Sequence, residues 1–175
     1  MCSSDLTRAY LRVLAGRRED PGEILTRVNG VLAEDIGNER FVTLFLGRLD
    51  PATKALIYAS AGHPTGYLLN AKGDIKTTLP RTGVPLGIRP DTQYTSSAEI
   101  TLASGDLLLL LTDGITEATT SEDVQFGPDR ALDYVRAHRQ DSAQQIAEGI
   151  CQAARCFAGG EHQLDDLTSV VVKVD

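Results

Sequence analysis

Five consecutive leucines, Leu107 to Leu111, stand between Asp106 and Thr112. A strand with one wet face alternates apolar and polar residues, whereas a strand apolar at every position must be covered on both faces. The chain therefore has to lay structure on either side of this segment. It is the longest apolar run and falls far below the roughly twenty residues that a membrane span needs. Turn-forming pairs frame it, Ser104-Gly105 before and Asp113-Gly114 after. It reads as an interior strand of a globular domain.

The covering layers are legible on both sides. Leu6, Tyr10, Leu11, Val13 and Leu14 recur at helical intervals and end near Gly16. A second helix opens with Asp20 as cap, Pro21 at its first position and Glu23 at capping-box spacing. Ile24, Leu25, Val28, Val31, Leu32 and Ile36 make its apolar stripe, and Gly37-Asn38 is its expected stop. Residues 3–36 are thus expected to form a helical hairpin. From Phe41 the pattern changes to strands: Phe41–Leu49, a turn over 50–54, Ala55–Ala59, then Gly66–Leu69 and Asp74–Thr78 about the turn 70–73. Gly83, Pro85 and Gly87 punctuate an ordered loop over 82–90, and Ser97–Leu102 is a further strand. A short helical turn is expected at 115–119 and helices at 128–138 and 142–157, with Gly159-Gly160 ending the last, before a nearly all apolar final strand, Leu167–Val174. The order is an α+β domain with a mainly antiparallel sheet, read as one domain over 1–175.

Composition narrows the function. The balance of 17 Lys and Arg against 24 Asp and Glu, a net charge of −7, argues against nucleic acid, whose phosphates attract basic surfaces. Cys2 is terminal, and Cys151 and Cys156, five apart, match neither a redox pair nor a zinc spacing. With no apolar leader, a reduced, cytoplasmic setting is expected.

Two acidic spots border the apolar strands. Asp113 follows the leucine run, and Gly114 beside it allows a sharp turn and close approach to a ligand. Asp165 and Asp166 precede the final strand. Each alone is also what a strand-ending turn or a solvated loop looks like. If the two strands are neighbours, though, the acids converge, and converging carboxylates are how Mg²⁺ and Mn²⁺ are held. His63, in Ala61-Gly62-His63-Pro64, reads as a structural hydrogen-bonder more readily than as a ligand, as do His138 and His162, and Thr168 reads as a β-forming residue. No nucleophile elbow, phosphate-binding Gly-Lys loop or zincin helix is present.

Taken together, Arg40–Phe45, Tyr58–Pro64, Pro85–Ile88, Ser104–Asp106, Thr112–Ala118 and Asp165–Thr168 resemble, in order and spacing, the PPM-type (type 2C) metal-dependent serine/threonine phosphatases in their bacterial SpoIIE-like branch. The resemblance implies a β-sandwich flanked by helices, with a binuclear Mg²⁺ or Mn²⁺ centre at one edge. It makes Asp113 and Asp165 metal ligands and Gly114, Asp166 and His63 their neighbours. His63 falls where eukaryotic relatives carry an acid for a further metal. The implied reaction is hydrolysis of phosphoserine or phosphothreonine on a bacterial signalling protein of the anti-sigma-factor antagonist type. The family's Gly-Gly-Asp and Asp-x-x-Gly-His-Gly segments do not occur in this sequence. The expectation is therefore a domain lacking its N-terminal strands and part of its metal site, with exposed edges covered in a homodimer. Two alternatives stay open: a non-catalytic protein-binding domain, and a dimerisation module built on the hairpin.

Overall fold

The computed structural model describes residues 3–14, 19–36, 40–159 and 166–175. The Gly37-Asn38 stop, Gly160, His162, Asp165 and Cys2 lie outside them. The chain divides into two compact units, 1–63 with 80–102, and 64–79 with 103–175.

In the first unit, helices α1 (Ser3–Leu14) and α2 (Pro21–Ile36) form the expected hairpin against the sheet β1 (Leu44–Asp50), β2 (Ala55–Ala61) and β5 (Ile100–Thr101). The start of α2 is fixed as its sequence suggests: Asp20 Oδ1 accepts the backbone N–H groups of Gly22 (2.9 Å) and Glu23 (3.2 Å), orphan donors of the first turn. Ser96 supplies a second clasp by donating to the same oxygen. Gly22 is required there, because a Cβ would lie 2.6 Å from the Tyr94 carbonyl oxygen. Ile24, Leu25, Val28 and Leu32 are buried against Ala59, Ala61 and Leu86. Leu6, Tyr10 and Leu11 pack on that core from α1, while Val13, read as part of the same stripe, is 79% exposed.

One polar residue sits within the α2 stripe. Asn29 is fully buried; its amide donates to the carbonyls of Arg89 (2.7 Å) and Pro90 (3.2 Å), and its Oδ1 accepts from Gly87 N–H (2.9 Å). A buried amide is tolerated because it is satisfied, and here it pins the expected loop to α2. Strands β1 and β2 pair antiparallel from Leu44↔Ala61 to Asp50↔Ala55. The strand expected over Ser97–Leu102 shrinks to two residues: the Tyr58 N–H goes to the Ser97 hydroxyl, so a side chain interrupts the ladder.

The second unit holds a four-stranded antiparallel sheet in the order β4-β3-β6-β7, where β3 is Gly66–Leu69, β4 Ile75–Leu79, β6 Leu107–Leu111 and β7 Ser169–Lys173. The leucine strand is interior, paired with β3 on one side and β7 on the other. Leu107, Leu109 and Leu111 share a core with Ile115, Ile146 and Ile150 from α3 (Asp113–Thr116) and α5 (Ala143–Phe157); α4 (Gly127–Ala137) adds Leu132 and Val135. Ser142 caps α5 through a reciprocal capping box with Gln145. The final strand departs from expectation. It lies at the sheet's edge, with Val170 45% exposed, so its valines reflect β-propensity as much as burial. Asp106, 3% exposed, is neutralised by Lys76 at 2.6 Å and accepts the Ala103 N–H, closing the turn into β6.

Two outcomes are expected from these contacts. Asn29→Ala strands the buried Gly87 N–H and costs about 2 kcal/mol of stability, read from the urea midpoint. Burial pushes the Tyr94 phenol up to about 12 from 10.0. Its contribution is complete below the unfolded value and lost as pH rises through the folded one. Urea midpoints should fall as pH climbs above 10.0 toward about 12, and less steeply in Tyr94→Phe.

Candidate functional site

The last ladder pair of β6 and β7 is Leu111↔Ser169, and just beyond it both strands carry acidic residues. On the β6 side the chain turns at once into α3. Thr112 is the cap, with extended backbone (φ −81, ψ 159), and Asp113 is the first helical residue, with its side chain exposed. Gly114 N–H donates to Asp113 Oδ1 at 3.0 Å and so orients the carboxylate. Gly114 and Ile115 are buried beneath it. An exposed acid therefore rests on an anchored turn.

On the β7 side, Asp166 and Thr168 are exposed, and Asp165 lies outside the described residues. Three hydrogen bonds join this segment to Thr112: Thr112 N–H to the Thr168 carbonyl (3.0 Å), Thr168 N–H to Thr112 Oγ1 (3.0 Å), and Thr112 Oγ1–H to the Asp166 carbonyl (3.1 Å). The segments bearing Asp113 and Asp166 are thereby brought together from distant parts of the chain. Beside them, α5 and β7 enclose an open groove of about 650 Å³, whose polar lining includes Gln145, Gln152, Arg155 and Thr168.

His63 belongs to the first unit, half-buried just past β2, with its ring edge-on to Phe45 at 6.4 Å. His138 caps α4, stacks on Tyr134 at 4.2 Å and pairs with Asp141 at 2.9 Å. Sequence reading counted Thr112 and Thr168 among the residues of the family resemblance but gave neither a role, taking Thr168 for a β-former. No spacing rule marks a threonine whose partner is fifty-six residues away; only strand pairing reveals it.

Among the described residues, no group of three or more His, Cys, Asp and Glu side chains is placed to hold a metal ion. The described acids therefore do not make a closed cage. Asp113, exposed and oriented by the Gly114 N–H, is an oxygen donor of the kind a hydrated hard cation takes, since Mg²⁺ commonly keeps several waters and takes one or two carboxylates.

The family model for stage II sporulation protein E (SpoIIE) matches residues 2–175. The chain belongs to the SpoIIE family. It is 29% identical over 154 residues to the phosphoserine phosphatase RsbU of Bacillus subtilis, an alignment covering 87% of this chain and 45% of RsbU. The chain thus spans less than half the length of that relative. Its fold matches the PP2C phosphatase domain, solved with a fragment of the regulatory domain, of the cell fate determinant SpoIIE from Bacillus subtilis (TM-score 0.83, 20% identity, 98% of this chain and 49% of that one). It also matches RsbX, solved in complex with magnesium (TM-score 0.66, 21% identity, 97% of this chain and 71% of that one). The fold class read from the sequence, antiparallel sheets with flanking helices, is that of the PP2C phosphatases.

Proposed function

We propose that this chain is the catalytic portion of a metal-dependent protein serine/threonine phosphatase. Its substrate in this reading is a phosphoserine or phosphothreonine on a bacterial signalling protein of the anti-sigma-factor antagonist type. The observation that carries the proposal is the meeting of two acid-bearing segments, one at the end of β6 and one before β7, in a member of the SpoIIE family. Asp113 and Asp165 are assigned as ligands of Mg²⁺ or Mn²⁺, with Gly114, Asp166 and His63 as neighbours.

The chemistry such a cation supplies when bound is charge neutralisation at a phosphomonoester and a lowered pKa for water. The chain's own part is positional. Gly114 N–H orients the Asp113 carboxylate, and the paired strand ends keep the second acid segment close. No side chain of the site needs to form a covalent phosphoenzyme.

A single domain over 1–175 accords with the span of the family match. A cytoplasmic setting accords with Cys151 and Cys156, both free thiols, and among the described residues no helix is long and apolar enough to cross a membrane. Self-association into a homodimer is supported by Val13 and Val31, which the hairpin leaves 79% and 43% exposed. The second reading is a non-catalytic binding or dimerisation module, with the exposed Val13 and Val31 of the hairpin as its contact residues.

The deciding experiment is Mn²⁺-dependent hydrolysis of a simple aryl phosphate and of a phosphoserine peptide by this chain. Turnover abolished by a chelator, and lowered about a hundredfold or more in Asp113→Asn, the scale of losing a group that stabilises transition-state charge, is the expected result. No turnover at any Mn²⁺ concentration would favour the non-catalytic module. Light scattering should give twice the 18.8 kDa chain mass; a monomer at every concentration would defeat the dimer.

A further inference from the structure

Thr112 makes more hydrogen bonds than its place at a strand end calls for. In a regular antiparallel ladder, the residue opposite it, Thr168, would exchange both main-chain bonds with it. One is made as usual, from Thr112 N–H to the Thr168 carbonyl at 3.0 Å. The Thr112 carbonyl, however, accepts the N–H of Ile115 at 3.1 Å, because the chain turns directly into α3. The Thr168 N–H is taken instead by the Thr112 side-chain oxygen, at 3.0 Å. The hydroxyl replaces a carbonyl that the helix has claimed.

That oxygen also carries one proton. Two acceptors lie in reach, the carbonyls of Asp166 at 3.1 Å and Thr168 at 3.3 Å. The Thr168 carbonyl already receives the Thr112 N–H, so the nearer Asp166 carbonyl is the partner of choice. A single hydroxyl thus accepts from one end of the 166–168 segment and donates to the other.

We propose that Thr112 is a positioning residue for the candidate site: its hydroxyl, standing in for a main-chain carbonyl, holds the Asp166–Thr168 segment beside Asp113. The role rests on the proposed reading of Asp113 and Asp165, the residue next to this segment, as ligands of a divalent cation. Two requirements meet at position 112. The residue must begin a helix directly after a buried strand, and it must keep the neighbouring strand's first residues in place while doing so. Serine or threonine satisfies both. Valine, equal in shape to threonine, satisfies only the first, and leaves the Thr168 N–H and the Asp166 carbonyl to water.

The test uses this 175-residue chain, with Mn²⁺ binding followed by electron paramagnetic resonance and exchange of the Thr168 amide proton by NMR. Thr112→Val should raise the Mn²⁺ dissociation constant about tenfold or more, while Thr112→Ser stays within about threefold of the parent, in keeping with the cost of removing groups that orient ligands. The Thr168 amide should exchange faster in the valine variant alone. If the valine variant binds Mn²⁺ as the parent does, the positioning role is overturned, even where the amide exchanges faster. A serine variant as weak as the valine one would also overturn it, since the hydroxyl would then not be the cause. A parent that binds no Mn²⁺, or binds it equally well as Asp113→Asn, refutes the ligand reading and the positioning role with it. That failure is told apart from the others by the parent protein alone. Should the valine variant not fold, Thr112→Ala takes its place with the same expected ordering.

Discussion

The antiparallel pairing of β6 with β7 is the constraint on which the candidate site depends. Strand β6, leucine at every position and buried at all but one, is hydrogen-bonded on both edges, to β3 and to β7. Its partner on one side is the last strand of the chain. The register ends at Leu111↔Ser169, so the residues that follow one strand and precede the other arrive at the same edge. Asp113 and Asp166 sit there because of where the leucines stop.

A second set of polar contacts does comparable work within the first unit. Helix α2 turns an apolar stripe toward β2, yet Asp20, Thr26 and Asn29 each bond to the stretch between Gly87 and Ser96. Tyr94 N–H donates to Thr26 Oγ1 at 2.9 Å, one turn from Asn29. An irregular stretch of backbone has no ladder to satisfy it, so side chains must supply the partners. The loop is ordered because a helix carries the acceptors and donors it lacks. In both units a side chain replaces main-chain partners: Asn29 for the loop, Thr112 for the end of the β6–β7 ladder.

Much of this was legible beforehand. The helical intervals of residues 6–32, the turn at Asn70–Gly73 and the helix over 142–157 are local patterns, and each element formed where its pattern lies. The boundaries that moved did so for tertiary reasons. The Ser97–Leu102 strand contracted because the Ser97 hydroxyl took a ladder hydrogen bond. The final strand was read as apolar, yet β7 lies at an edge with Val170 exposed, because composition alone does not tell burial from β-propensity. At the site, Asp113 stood out as a carboxylate after an apolar run, whereas Thr112 looked like any strand-ending threonine.

By itself the sequence determined the elements and their class, since side-chain periodicity and turn chemistry act over a few residues and leave local marks. It also determined that β6 would be interior, because leucine at five successive positions admits no wet face. Only the tertiary structure decided which strand lies beside β6, and therefore that position 112 meets positions 166 and 168. Hydrogen bonds between segments some fifty residues apart leave no local signature, so that meeting had to be seen in the folded chain.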